Sequence, residues 1–263
     1  MNREVLAKVF EHAQVVDKWC AENGGVRVFT GLFGSQNYGI DNEYSDVDTK
    51  SIILPDHRDW VWGDLEKYNK VLTSSDGENI EMKNIVDMFK QFIKGNINFL
   101  EILYTEYVDI APGWEWLYDE LLQTRDNIAR HNLYKQSLTW LGYLEQARVR
   151  AYDGAARKNE MNHKSVANAL RIKESWIRYF QFNRPFDEAI NVTDMRSTLM
   201  PIKNGYVDFQ TELQICTDIA LWREKAIKWT KDHFEDKKVF NAEFYLKELA
   251  LEAMIAYFEE VCE

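Results

Sequence analysis

The chain has 263 residues, enough for one large or two small domains with a sizeable core. Hydrophobic residues make up 46% and aromatic residues 14% of the chain, with only four prolines, so the composition indicates a packed globular protein without long linkers. The formal net charge of −11 argues against a protein that coats nucleic acid, because such binding depends on neutralising many phosphates.

Several other classes of protein are disfavoured because the sequence lacks the patterns that are typical of them. No apolar run is long enough to cross a bilayer and no signal peptide is evident, so we expect no membrane contact and a cytoplasmic location. The cysteines Cys20, Cys216 and Cys262 are scattered, which is typical of reduced thiols in a cytosol. The sequence contains no GxSxG, GxxxxGK[ST], GxGxxG or His-x-x-x-His pattern, which disfavours hydrolase, P-loop, Rossmann and histidine-metal sites.

The first predicted elements are a helix and a strand. Helical spacing of apolar residues predicts a helix from Glu4 to Cys20, and Asn23-Gly24-Gly25 is typical of a helix end. An apolar strand follows, with Val26, Val28, Phe29, Leu32 and Phe33.

A pair of aspartates marks the next predicted strand. A turn at Gly34-Ser35 leads through a short polar connection to a strand that begins with Asp46-Val47-Asp48. Because side chains alternate along a strand, Asp46 and Asp48 share one face while Val47 points into the core. Two carboxylates beside amides bared by glycine could hold a divalent cation next to a polyphosphate. The alternative is an ordinary pair of exposed carboxylates on an edge strand.

These residues carry a family resemblance. GSxxYG followed by SDxD resembles the signature of the DNA polymerase β nucleotidyltransferase superfamily, and is most similar to the minimal RNA-repair-associated members of bacteria and phages. The resemblance implies that Gly34 and Ser35 hold the β- and γ-phosphates of an NTP and that Tyr38 belongs to the nucleotide site. It also implies that Asp46 and Asp48 are catalytic and bind Mg²⁺ or Mn²⁺.

A third carboxylate is expected on a neighbouring strand. Residues 56–79 are predicted to be a loop with a short strand at Lys70–Ser74, and Asn79–Lys83 alternates as a third long strand. In the superfamily this strand completes the catalytic metal site, and the matching residue is Glu81. Asp76, Glu78 and a purely structural Glu81 are the alternatives.

The following segment predicts an amphipathic helix from Ile85 to Ile93. NINFLEILYTE then resembles a segment of the family, in which Glu101 is either functional or a capping or salt-bridging residue.

From Trp114 onward the periodicity is helical. We predict helices at Trp114–Thr124, Asn132–Asp153, Lys164–Phe182, Asp208–Phe234 and Glu243–Val261. The predicted fold is therefore α+β, with a small mixed β-sheet nucleotidyltransferase core and flanking helices at residues 1–112. An α-helical C-terminal domain follows at residues 113–263.

A basic segment stands out in the acidic chain between Arg148 and Arg184. Lys164, Asn168, Arg171 and Arg178 fall on one helix face, which is either an ordinary solvated face or a phosphate-binding one. NHKSVANALRI resembles the second motif of the family, which implies that Lys164, Asn168 and Arg171 bind the nucleotide and face the carboxylates.

The implied activity is transfer of an NMP from an NTP to an acceptor hydroxyl. The resemblance favours an RNA end, including tRNA, as the acceptor. The alternatives are a protein AMP transferase, which suits the acidic surface, and a non-catalytic antitoxin-type module that binds a partner.

Overall fold

The computed structural model describes residues 2–43, 45–153 and 160–262, with side chains as far as residue 259. Arg157 and Lys158, which belong to the basic segment between Arg148 and Arg184, and the side chain of Cys262 lie outside this description. Contacts divide the chain into two compact units. The sheet unit comprises Met1–Asn37, Tyr44–His131 and Val239–Glu263, and the helical unit comprises Tyr38–Glu43 and Asn132–Lys238.

The described residues of the sheet unit form one five-stranded mixed sheet, as the α+β prediction requires. The strands lie in the order β3-β4-β2-β1-β5. Strand β2 pairs antiparallel with β1 and parallel with β4, and the two edge strands are antiparallel to their neighbours. The bounds are β1 Val26–Phe33, β2 Asp48–Leu54, β3 Lys70–Thr73, β4 Asn79–Asn84 and β5 Val108–Ile110.

Helices account for most of the remaining described residues. In chain order they are α1 Arg3–Asn23, α2 Ser35–Tyr38, α3 His57–Trp62, α4 Ile85–Ile93, α5 Ile97–Leu100, α6 Glu115–Arg130, α7 Leu133–Ala151, α8 His163–Trp176, α9 Phe186–Ile190, α10 Arg196–Lys203, α11 Phe209–His233 and α12 Ala242–Cys262. Among the described residues, no helix combines the length and apolar character needed to span a bilayer.

Helix α1 covers one face of the sheet. The Asn2 side chain caps its first turn, and Gly24, with φ of 85°, ends it. Its apolar positions are buried, as the spacing predicts, and pack against β1, β2 and β4. This face of the sheet is therefore covered by α1 and belongs to the core.

The opposite face of the sheet is apolar at one end and polar at the other. Phe29 meets Tyr118 of α6 with ring centroids 4.9 Å apart, and a β-carbon on Gly31 would lie 3.2 Å from Ile102. Further along, the pairing of β1 with β2 sets Phe33 opposite Asp48. The polar end of this face is thus where β1 ends and β2 begins.

The structure differs from the sequence predictions in several details. Strand β2 begins at Asp48, so Asp46 lies in the segment before it. Helix α3 and a 3-10 turn at Glu66–Tyr68 lie where a loop is predicted, with Asp56 accepting a hydrogen bond from the Arg58 backbone at the helix start. Residues 113–131 and 239–263, which the sequence places in the helical domain, belong to the sheet unit.

The helical unit is built around aromatic side chains. Trp140, Trp176, Tyr179 and Phe180 are buried and contact one another at ring-centroid distances of 5.1 to 5.4 Å for the pairs Trp140–Tyr179, Trp140–Phe180 and Trp176–Phe180. Helix α8 continues into a π-helical turn at Ile177–Gln181. The predicted helices of this unit are confirmed, whereas α9 and α10 are additional.

Candidate functional site

The turn after β1 is open to a ligand. Gly34 has φ of 103°, a conformation that favours glycine, and a β-carbon there would have no heavy atom within 4 Å. Asn37 holds the turn from behind, because its side-chain amide donates to the Leu32 carbonyl at 2.9 Å. Gly34 therefore has a backbone conformation that favours glycine, and the space where a side chain would lie is open.

Glu101 contacts this turn directly. Its carboxyl group is buried, and Oε2 accepts a hydrogen bond from the Gly34 amide at 3.3 Å. Through this hydrogen bond, Glu101 holds the backbone of the Gly34 turn.

The two aspartates lie beside the same turn. Gln36 Nε2 donates to the Asp46 carbonyl at 3.0 Å, which ties the residues after Gly34 to the start of the aspartate pair. Val47 is buried between an exposed Asp46 and a half-buried Asp48, as the predicted alternation requires. Asp48 Oδ1 accepts from Asn79 Nδ2 at 3.3 Å, and burial raises the pKa of the Asp48 carboxyl.

Glu78 fixes the backbone between the aspartates from the other face. Its Oε1 accepts a hydrogen bond from the Val47 amide at 3.0 Å, and its Oε2 lies 3.3 Å from Nε2 of the buried His12. Burial lowers the pKa of His12, which keeps the ring neutral. Asp76 pairs with Lys8. These contacts give Glu78 and Asp76, the alternative third carboxylates, positions away from the aspartate face.

Glu81 lies on the aspartate face but is already paired. The parallel register places it opposite Lys50, and the Lys50 ammonium forms an ion pair with Oε2 of Glu81. Lys83 Nζ lies 3.7 Å from the other oxygen, Oε1. Sequence reasoning overlooked Lys50, although its position two residues after Asp48 predicts that it shares the aspartate face.

Lys50 is held by aromatic rings as well as by Glu81. Its Nζ lies 3.6 Å from the Phe33 ring centroid and 4.4 Å from that of Phe99, and the side chain is only 3% exposed. Cation–π contacts of a desolvated ammonium are worth about 2 kcal/mol each. The ammonium is thus a fixed positive charge of the site.

The donor set fits a divalent cation only in part. Asp46 and Asp48 offer hard carboxylate oxygens, which Mg²⁺ and Mn²⁺ prefer. Glu81 does not fit, because two lysines already share its carboxylate. Within the described ranges, no group of three or more His, Cys, Asp or Glu side chains is arranged to hold a metal ion.

The remaining candidate residues belong to the helical unit. The guanidinium of Arg171 stacks on the Tyr38 ring with its carbon 3.7 Å from the centroid, and its Nε and Nη2 donate to Asn168 Oδ1. Arg171 is buried and Lys164 is exposed. Whether Lys164, Asn168 and Arg171 face the carboxylates stays a prediction.

Arg178 departs from the predicted basic face. It is buried, and its guanidinium pairs with Glu174 and Asp194, each at 2.9 Å. Because its Nε, Nη1 and Nη2 all donate to Glu174, Asn191 or Asp194, we remove Arg178 from the candidate set. The helical spacing alone could not reveal Asp194, which lies beyond the helix in sequence.

The connection between the turn and the aspartates is held by the helical unit. Arg196 donates to the carbonyls of Gly39 at 2.9 Å and Asp41 at 2.6 Å, and Lys203 donates to the Ile40 carbonyl at 2.9 Å. Residues 38–43 therefore have a fixed conformation rather than that of a free loop.

We expect Gly34→Val to weaken nucleotide binding at least tenfold and to lower the melting temperature no more than Gly113→Val does. The side chain would project into the open space above the turn, and a non-glycine residue at this φ costs roughly 1–3 kcal/mol. Gly113→Val is the matched control, because Gly113 also has a positive φ, of 86°, and no neighbour within 4 Å of an added β-carbon. Calorimetric titration with a non-hydrolysable NTP analogue measures the difference. Equal affinities in folded Gly34→Val and Gly113→Val proteins would mean that the turn does not contact the nucleotide.

No protein-family model matches the chain, and no curated protein sequence is significantly similar to it. The resemblance to the polymerase β-type nucleotidyltransferases therefore depends on the motif residues alone.

Proposed function

We propose that the protein is a metal-dependent nucleotidyltransferase that transfers an NMP from an NTP to an acceptor hydroxyl. The observation that carries this proposal is the register of the two central strands. Phe33, the last residue of β1, pairs with Asp48, the first residue of β2. The Gly34 turn and a pair of carboxylates are thereby brought to the same end of the sheet, and the Gln36 hydrogen bond to Asp46 links them.

The residues at this end of the sheet suit phosphoryl transfer. Backbone amides of the turn beyond Gly34, whose own N–H donates to Glu101, would orient the β- and γ-phosphates. Gln36 and Glu78 hold the C=O and the N–H of the peptide group between Asp46 and Val47, which fixes the backbone that joins the two aspartates. A bound Mg²⁺ or Mn²⁺ would be held by Asp46 and Asp48, and would neutralise phosphate charge and lower the pKa of the acceptor hydroxyl. Such positioning and charge neutralisation supply most of the catalysis in this class of reaction.

The bond changes follow from the substrates. The acceptor oxygen forms a bond to the α-phosphorus, the bond from this phosphorus to the bridging oxygen of the β-phosphate breaks, and pyrophosphate leaves. The hydroxyl proton passes to solvent. The products are a nucleotidylated acceptor and pyrophosphate.

An RNA end is the acceptor that we propose. The net charge of −11 disfavours a long nucleic-acid footprint, but an end requires few phosphate contacts. The test is incubation with each of four α-³²P-labelled NTPs and Mg²⁺ or Mn²⁺, with total RNA, with tRNA or with an RNase-treated lysate. Label in RNA supports the proposal. Label that appears only in protein indicates a protein AMP transferase, and no label in any fraction contradicts nucleotidyl transfer.

Lys164 provides a separate test of the nucleotide site in the helical unit. We expect Lys164→Ala to weaken NTP binding by about 10- to 100-fold, because a charge-assisted contact to phosphate contributes roughly 1.5–3 kcal/mol. The residue is exposed, so the fold should not change. Lys225→Ala, another exposed helical lysine of the same unit, is the control. Identical NTP affinities in the two variants would remove Lys164 from the site.

A further inference from the structure

We propose that Lys50 is a built-in cation that takes the place of one of the two metal ions of a two-metal nucleotidyltransferase, so that the protein binds one divalent cation with the NTP. This inference rests on the proposed function and concerns which groups supply the positive charge of the same site. It starts from the ion pair between Lys50 and Glu81, the residue that matches the third carboxylate.

The surroundings of Lys50 make the ammonium a permanent part of the site. The side chain is 3% exposed and lies against the rings of Phe33 and Phe99, so it cannot swing out to water without losing both ring contacts. The backbone register of β2 with β4 places Lys50 directly opposite Glu81. The register of the sheet therefore places Lys50 and Glu81 next to each other.

A metal ion on Glu81 would be costly in this arrangement. Coordination would take the carboxylate from a desolvated ammonium, and removing one partner of a buried ion pair leaves an uncompensated charge. It would also place a divalent cation beside the charges of Lys50 and Lys83, since the Lys83 ammonium is 3.7 Å from Glu81. Glu81 is consequently a partner of lysine and not a metal ligand.

The site still supplies the positive charge that phosphoryl transfer needs. Mg²⁺ is commonly held by one or two carboxylates together with water and substrate phosphates, and Asp46 with Asp48 provides this number. Lys50 lies two residues from Asp48 on the same strand and on the same face of the sheet. Its ammonium adds the second positive charge without a second ion. Lys50 is thus a positioning and charge-supplying residue, with Glu81 as its anchor.

The test counts bound Mn²⁺ by electron paramagnetic resonance. The protein is held in excess over a non-hydrolysable NTP analogue with a methylene group between the α- and β-phosphorus atoms. For the wild type we expect one Mn²⁺ per bound analogue. For Lys50→Met, which keeps an unbranched side chain between the rings but removes the charge, we expect two, because Glu81 is released. Lys83→Met is the matched control, and should bind one.

Glu81→Gln keeps the test decisive if Lys50→Met does not fold. Because Glu81 is not a ligand in this account, we expect Mn²⁺ affinity in the ternary complex to change by less than about threefold. Two Mn²⁺ ions per analogue in the wild type would overturn the inference, as would one ion in folded Lys50→Met or a loss of affinity of tenfold or more in Glu81→Gln. If Mn²⁺ bound equally to the wild type and to Asp46→Asn/Asp48→Asn, the proposed function itself would fail, independently of Lys50.

Discussion

Replacing both aspartates, as Asp46→Asn/Asp48→Asn, should reduce nucleotidyl transfer at least about 10³-fold and leave the fold intact. The double change removes both carboxylates that we propose as metal ligands, and phosphoryl transfer depends on the positive charge that such ligands hold in place. Asp46 is exposed, so its substitution disturbs no packing. Burial already disfavours the charge of Asp48, whose pKa is raised, so a neutral amide there should not lower stability.

Transfer assays and thermal unfolding on the same preparations separate the two effects. Asp64→Asn/Asp119→Asn is the matched control, because both residues are exposed carboxylates of the sheet unit. It removes the same net charge at other places and should keep wild-type activity. Full transfer by the Asp46→Asn/Asp48→Asn protein with ordinary Mg²⁺ dependence would show that the catalytic residues lie elsewhere.

Trp176→Ala is expected to destabilise the helical unit by about 3–5 kcal/mol, the usual range for truncating a buried aromatic side chain. Trp176 has no exposed surface, and its ring lies between 5.2 and 5.4 Å from the rings of Phe180, Trp222 and Trp229. Its Nε1 donates to the Ser137 hydroxyl at 2.9 Å, so the change also removes a buried hydrogen bond.

Urea unfolding followed by circular dichroism measures this effect. Trp62→Ala is the control, since Trp62 is 85% exposed and its loss should cost little. Trp176→Phe should fall between the two, because it keeps most of the ring volume and loses the hydrogen bond. Equal midpoints for Trp176→Ala and Trp62→Ala would contradict the assignment of Trp176 to the core.

The local sequence pattern was sufficient to predict helix α1 and the burial of Val47. Helix α1 has an apolar face at helical spacing and a glycine stop, and both appear in the structure. The alternation around Val47 correctly gave one buried residue between two aspartates that are not buried. Strand β5 was missed because it has three residues and exists only through its pairing with the distant β1.

The ion pairs of the candidate residues could not be predicted from local sequence pattern. Alternation assigns Lys50 and Glu81 to polar faces, but their pairing depends on the parallel register of β2 with β4, which no local pattern specifies. The same limit applies to Arg178 and Asp194, which meet through the packing of the helical unit. The sequence predicted candidate residues, whereas the ion pairs that Glu81 and Arg178 form became evident only in the structure.

The most direct measurement of the proposed activity follows two labels in one reaction. The protein is incubated with Mg²⁺, the acceptor RNA and an NTP labelled either at the α- or at the γ-phosphate. Nucleotidyl transfer predicts α-label in the RNA and γ-label only in pyrophosphate, with both signals lost in Asp46→Asn/Asp48→Asn. Gamma-label in the RNA would reveal a kinase, and NTP binding without movement of either label would identify a non-catalytic binding module; each result would contradict nucleotidyl transfer.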